Sequence, residues 1–302
     1  MNSEIRKDYL QDKYALISPR RGKRPGDEVA CPFCPKGLRT QQVVKTYGKP
    51  WKIAVLKNKY PAFTAQKGGV YGRQEVIVET PSHEKRLYEL SVSELAECLK
   101  VYADRVAEMK KDKRIKYILV FNNSGASAGA SKAHEHSQVI GMDFVSPYLQ
   151  DKTEKEHRYQ GKTGRCIYCD IIKKEEKSAR KIFSDKNIFV FAPYASQHAY
   201  EARIFPRRHL DNVADLTASE RESIAFALKK ILTAVGTLKV PYNFYMHERV
   251  MDRDQHFYIK ITPRGAAFAA VELGTGLIIN PVAPEAAAKY YRKSFKKIVS
   301  HN

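Results

Sequence analysis

One stretch of this chain is written twice. His83-Glu-Lys-Arg-Leu-Tyr-Glu-Leu-Ser91-Val-Ser-Glu94 returns as His209-Leu-Asp-Asn-Val-Ala-Asp-Leu-Thr217-Ala-Ser-Glu220, at a constant offset of 126 residues. Each copy has a His, an apolar residue four on, an acid six on and Leu seven on. A Ser or Thr follows, with Glu three beyond it. A repeat on this scale implies one supersecondary unit built twice, so it predicts two similar halves rather than two unrelated domains. Ser91-x-x-Glu94 and Thr217-x-x-Glu220 have the form of capping boxes, each opening a helix. Leu95, Cys98, Leu99, Tyr102, Val106 and Met109 follow the first box at helical spacing, and Ile224, Leu228, Ile231 and Val235 the second. Both stripes read as core, and Cys98 within one of them as an inert buried thiol. Strand-like runs precede each His (from Glu75 and from Glu201) and follow each helix (Ile115 to Phe121, Tyr242 to Met246).

The cysteines follow the same plan. Cys31-Pro-Phe-Cys34 stands ahead of the first copy and Cys166-Ile-Tyr-Cys169 ahead of the second. In a chain expected to be intracellular, such pairs read as metal ligands or a redox dithiol before disulfides. A redox pair would open a helix, and neither pair is followed by an evident helical pattern. A tetrahedral metal needs two further ligands, and each half ends on another histidine. This predicts one zinc per half, two per chain: Cys31, Cys34, His83 and His134, then Cys166, Cys169, His209 and His256. The fold class predicted is α+β, with antiparallel sheets and packed helices. The halves are residues 1–145 and 166–302, and the charged stretch 146–165 reads as the linker.

Phe121-Asn-Asn-Ser-Gly-Ala-Ser-Ala-Gly-Ala-Ser-Lys-Ala-His-Glu-His-Ser-Gln138 carries the chemistry. Its small residues let backbone N–H groups approach an anion. In an extended strand, His134, His136 and Gln138 share a face. If His134 is a metal ligand, His136 stands beside a rigid post and faces the cradle. A neutral imidazole there is a competent nucleophile toward phosphorus, and Gln138 can donate an N–H to the oxygen where charge builds. The alternatives for His136 are a third metal ligand or a core histidine. The second half has Tyr258 and Lys260 where the first has His136 and Gln138, so it lacks the nucleophile.

The run Asn123-x-Gly125-x-x-x-Gly129-x-Ser131-x-x-His134-x-His136-x-Gln138 resembles the active-site signature of galactose-1-phosphate uridylyltransferases, the transferase branch of the histidine-triad superfamily. Ser18-Pro-Arg-Arg-Gly-Lys-Arg-Pro25 is similar to that family's arginine motif, and Asn58-Lys-Tyr-Pro-Ala62 to its nucleotide-binding segment. Pro81-Ser-His83 is similar to the segment bearing its third zinc ligand, and Phe268 to Glu272 to its sugar-binding region. The resemblance implies duplicated histidine-triad-like halves and a ping-pong reaction. His136 would take UMP from UDP-glucose, releasing glucose 1-phosphate, and galactose 1-phosphate would accept it. Ser131, Asn123 and Gln138 would contact phosphate, Arg21, Arg24 and Asn58 the nucleotide and its phosphates, and Glu272 a hexose hydroxyl. A homodimer is implied, with a partner chain completing each site.

The second Cys-x-x-Cys and the tail Glu272 to Pro281 are more similar to ADP-glucose phosphorylases, which would use the same histidine but pass an adenylyl group to phosphate. A class apart is a zinc-containing nucleic-acid-binding protein, which the formal charge of +20 invites. Against it, the Lys and Arg are dispersed and no aromatic recognition signature accompanies them. No apolar run approaches the ~18 residues of a membrane helix, and the N-terminus has no apolar leader core. The expectation is a cytoplasmic enzyme.

Overall fold

A computed structural model describes residues 3–19, 30–65, 70–250 and 255–296. A short hairpin, β1 (Glu4–Lys7) and β2 (Tyr14–Ile17), precedes the body of the protein. The first half then runs α1 (Pro35–Leu38), β3 (Val43–Tyr47), β4 (Ile53–Lys57), β5 (Gly72–Val78), α2 (Val92–Lys110), β6 (Tyr117–Ser124) and β7 (His136–Met142). Two helices, α3 (Pro147–Thr163) and α4 (Ile167–Glu175), lead into the second half. It comprises β8 (Lys181–Ser184), β9 (Ile188–Phe191), β10 (Ala202–Pro206), α5 (Ala218–Thr237), β11 (Tyr242–Arg249) and β12 (Ile259–Pro263). The chain continues through α6 (Ala270–Thr275) and α7 (Pro284–Lys296).

Ten of these strands form one antiparallel sheet in the order β3-β4-β5-β7-β6-β11-β12-β10-β9-β8. Read inward from either edge, the halves have the same topology: first, second, third, fifth, fourth. They meet at β6 and β11, whose eight-residue ladder runs from Tyr117 opposite Arg249 to Ser124 opposite Tyr242. The duplication therefore produces a continuous sheet with an approximate two-fold at its centre.

Both capping boxes form. The Ser91 and Thr217 hydroxyls accept from the backbone N–H of Glu94 and Glu220, whose carboxylates accept in return from the cap N–H. The stripes behind them are buried as expected. Leu95, Leu99, Tyr102 and Val106 of α2 join Ile224, Leu228, Ile231 and Val235 of α5 in one apolar core with Ile118, Val120, Phe244 and Met246 of the central strands. Cys98 lies within it, 1% exposed. The two long helices thus cover one face of the sheet and leave the other to the functional groups. That face is readable from the register: Val76, Gln138, Phe121, Tyr245, Lys260 and Arg203 lie directly opposite one another across six successive strands.

Two local expectations are revised. Residues 146–165 connect the halves as a helix, with Pro147 in its first turn and Gly164 at its end in the left-handed region, φ 68°. Its charge-rich composition is that of a mostly solvated helix, which buries only Leu149 and Glu156. Both cysteine pairs also adjoin helices: Cys34 caps α1 and Cys166 caps α4. These helices are too short, at four and nine residues, to show a clear apolar period. Among the described residues no helix is long and apolar enough to cross a membrane.

Candidate active site and metal centres

Each half gathers its ligand set. The ligand atoms of Cys31, Cys34, His83 and His134 all lie within 4.8 Å of one another, and so do those of Cys166, Cys169, His209 and His256. In the first set, His134 Nδ1 is 3.6 Å from both Cys31 Sγ and Cys34 Sγ, and His83 Nδ1 is 3.5 Å from Cys34 Sγ. His134 Nε2 donates to the Thr80 carbonyl at 2.8 Å, which fixes the tautomer and leaves Nδ1 toward the sulfurs. The second set repeats the device, with His256 Nε2 donating to the Pro206 carbonyl at 3.0 Å. Burial opposes ionisation of Cys166, but its contacts with the His209 and His256 rings outweigh it and draw the thiol to about 5. That favours the thiolate, the form that binds metals.

β7 carries the sorting on which the site depends. His136 and Gln138 face a cleft, and Glu135 and Ser137 face α2. His136 is 6% exposed, and its ring lies 5.0 Å from that of Phe33, between the two cysteines of the first set. Its Nδ1 donates to the His134 carbonyl at 2.9 Å, so the lone pair resides on Nε2. Burial, opposed by that hydrogen bond, lowers the histidine below its ordinary pKa of 6.5 and keeps it neutral. Gln138 Oε1 accepts from Gln74 Nε2 at 2.9 Å and Asn58 Nδ2 at 3.2 Å. With its oxygen so used, the Gln138 NH₂ remains as a donor.

The cleft has a cavity volume of about 120 Å³ and is lined by His136, Gln138, Ser131, Asn58, Phe33 and Leu56, among others. It thereby unites four of the residues singled out in the sequence with an apolar floor, a combination suited to a ligand with a flat apolar part and an anionic part. Asn123 lies beside it on β6, next to Gly129: a Cβ there would stand 3.7 Å from Asn123 Nδ2. Glu272 is not among the lining residues. It is half-buried, and its carboxylate accepts from the Ala269 N–H at 2.9 Å, capping α6. Arg21 and Arg24 fall outside the described residues.

Gln74 and Phe33 were not singled out from sequence. Gln74 reads as one more polar residue in a strand, and only the pairing of β5 with β7 brings it to Gln138. Glu135, unexplained by sequence, belongs to a buried polar layer. Its Oε1 accepts from Asn122 Nδ2 at 2.9 Å, while Tyr102 OH donates to Glu79 at 2.6 Å and lies 2.9 Å from Ser137 Oγ. Burial and then the nearby Glu135 carboxylate raise Glu79 to about 8.

In the second half the corresponding space is filled. Tyr258 stacks on Phe205 at 4.7 Å and packs against Tyr168 at 5.6 Å. Lys152 Nζ donates to the Tyr258 hydroxyl at 2.9 Å, and Lys260 and Arg203 share the Glu201 carboxylate. Among the described residues, one half offers a cleft and an imidazole nitrogen with no hydrogen-bond partner; the other is plugged with aromatic rings and ion pairs.

Known proteins share this arrangement. The chain is 29% identical to the ADP-glucose phosphorylase of Arabidopsis thaliana, across 96% of this chain and 92% of that one. It is 24% identical to the galactose-1-phosphate uridylyltransferase of Thermotoga maritima, across 96% and 98%. A solved uridylyltransferase mutant superposes with a TM-score of 0.85 at 27% identity, over 99% of this chain and 100% of that one. The chain is similar in sequence and in fold both to galactose-1-phosphate uridylyltransferases and to ADP-glucose phosphorylases. A family model described as the N-terminal domain of a domain of unknown function, DUF4931, also matches residues 22–145. The duplicated α+β fold expected from the uridylyltransferase resemblance is the fold observed.

Proposed function

We propose that this protein is a nucleotidyltransferase that moves UMP from UDP-glucose to galactose 1-phosphate through a covalent uridylyl-histidine. The observation that carries the reading is His136: neutral, buried at the cleft wall, its Nδ1 committed to the His134 carbonyl and its Nε2 without a hydrogen-bond partner among the described residues. The Nε2 lone pair attacks the α-phosphorus and the bond to the β-phosphate oxygen breaks, releasing glucose 1-phosphate. A phosphate oxygen of galactose 1-phosphate then attacks the same phosphorus, the P–N bond breaks, and His136 is regenerated. Gln138 donates to the non-bridging oxygen on which charge accumulates, and Ser131 and Asn123 hold phosphate beside it. Asn58, Arg21 and Arg24 contribute to nucleotide binding. The surplus of 20 positive charges suits substrates that are anionic on both sides of the reaction.

The two Cys₂His₂ sets fit zinc. Ligands at about 2.3 Å (sulfur) and 2.0–2.1 Å (nitrogen) on a tetrahedron stand about 3.5 Å apart, and the S···N separations here run from 3.5 to 3.9 Å. Zinc would cross-link each cysteine knuckle to the sheet as a structural ion. The first site steadies the backbone that holds His136, and both sites support a plan of two histidine-triad-like halves, 1–145 and 166–302.

A homodimer whose partner supplies the hexose contacts, Glu272 among them, is supported by the exposed apolar run around it. Val271, Leu273, Leu277 and Ile279 are 46–73% exposed. A cytoplasmic location follows from the substrates.

The test is a donor and acceptor panel. UDP-glucose labelled at the α-phosphorus should leave label on His136 without acceptor, and galactose 1-phosphate should discharge it. Labelling by ADP-glucose with discharge by inorganic phosphate would replace this reading with that of a phosphorylase. No labelled histidine from either donor would overturn it.

A further inference from the structure

The half without a nucleophile reaches into the site at one residue. Asn243 lies on β11 directly opposite Asn123 on β6, at the seam between the halves. Both protons of its amide are used there: Nδ2 donates to Asn123 Oδ1 at 2.8 Å and to the Ala128 carbonyl at 2.8 Å. Because a carbonyl only accepts, the orientation of this amide is determined. Arg264 Nη1, 3.5 Å from Asn243 Oδ1, occupies the acceptor side, and Thr262 Oγ1 donates to the Asn243 carbonyl at 3.2 Å.

Two consequences follow for the first half. With Asn123 Oδ1 engaged, its NH₂ is turned the other way, toward Gly129 in the small-residue loop. The bond to Ala128 also holds that loop at the turn Ala126–Ala128, which lies between two glycines at φ +90° and +88°. Such a turn has little side-chain packing of its own to define it. The loop also rests on Pro241, where a Cβ at Gly125 would come within 2.8 Å of the proline ring.

We propose that Asn243 is a positioning residue for nucleotidyl transfer, acting through Asn123 and the 125–131 loop to aim their donors at the transferred phosphoryl group. This rests on His136 as the nucleophile. A donor that must be aimed at developing charge matters more to the transition state than to the ground state, so its loss should appear in the rate of adduct formation.

The experiment is a single-turnover quench, using UDP-glucose or ADP-glucose, whichever labels wild-type His136 faster. In Asn243→Ala the labelling rate should fall by roughly 10- to 100-fold, with the half-saturating donor concentration changed less than about 3-fold. Asn243→Asp, nearly isosteric but without either N–H, should fall at least as far while retaining the wild-type thermal midpoint to within a few degrees. The double variant with Asn123→Ala should label within about 3-fold of Asn123→Ala alone, because the two residues act as a unit.

A rate within about 3-fold of wild type in Asn243→Ala, or single-variant losses that simply multiply in the double variant, would overturn the proposal. So would unfolding of both Asn243 variants, which would make the residue structural. Absence of label on wild-type His136 would instead remove the nucleophile, and this role with it.

Discussion

Along β7 and the residue before it, single-residue alternation separates two environments. His136 and Gln138 turn to the cleft, and Glu135 and Ser137 turn to the buried polar layer beneath α2. Replacing His136 with Ala should abolish the covalent adduct and reduce turnover by roughly 10⁴-fold or more. Mass spectrometry of the labelled protein and steady-state rates check both. Beneath the strand, Glu79 holds its proton in the folded state up to about pH 8, whereas in the unfolded chain it releases it near 4.5. The folded pKa is raised, so the stability this site contributes is present in acid. It is lost as pH rises from 4.5 toward about 8, by at most about 1.4 kcal/mol per pH unit. Glu79→Gln keeps the acceptor for Tyr102 and does not titrate. Its thermal midpoint should decline less than that of wild type between about pH 5 and 8, and parallel declines would refute the assignment.

Among the elements, the two long helices show what a cap contributes and the short ones show what it does not. α2 and α5 begin on complete capping boxes. Thr217→Ala should therefore cost about 0.5–2 kcal/mol, read as a midpoint lowered by a few degrees with turnover unchanged. Neither α1 nor α4 has a side-chain cap bond, and each starts at a cysteine of a ligand set. Their stability is expected to come from the metal. Cys166→Ser should lose one of two zinc equivalents by elemental analysis and lower the midpoint by roughly 5–10 °C, leaving the labelling of His136 within about 3-fold. An unchanged midpoint would mean that the second set is not a structural site.

For the molecule as a whole, duplication has not produced two independent bodies. The sheet is continuous through β6 and β11, and α2 and α5 contribute to a single apolar core that spans both halves. Unfolding in urea should accordingly be one transition, coincident by far-UV circular dichroism and by fluorescence of Trp51, which lies in the first half. Two separated transitions would show that the halves fold on their own. The same continuity gives the second half a structural role in the first: it pairs the edge of β6 and, through Asn243 and Pro241, supports the 125–131 loop.

The sequence by itself determined the duplication, the two Cys₂His₂ clusters and the capped helices, and it singled out the strand that bears His136. Those signals are local, because spacing in the chain translates directly into a helix turn, a strand face or a two-residue knuckle. The tertiary structure alone decided that the halves share one sheet, that Gln74 reaches Gln138, that Glu135 belongs to the buried layer, and that Tyr258, Phe205 and Tyr168 fill the second cleft. Each of these depends on which strand lies beside which and in what register. Short-range patterns do not encode that pairing, and a one-residue slip would send every side chain to the opposite face.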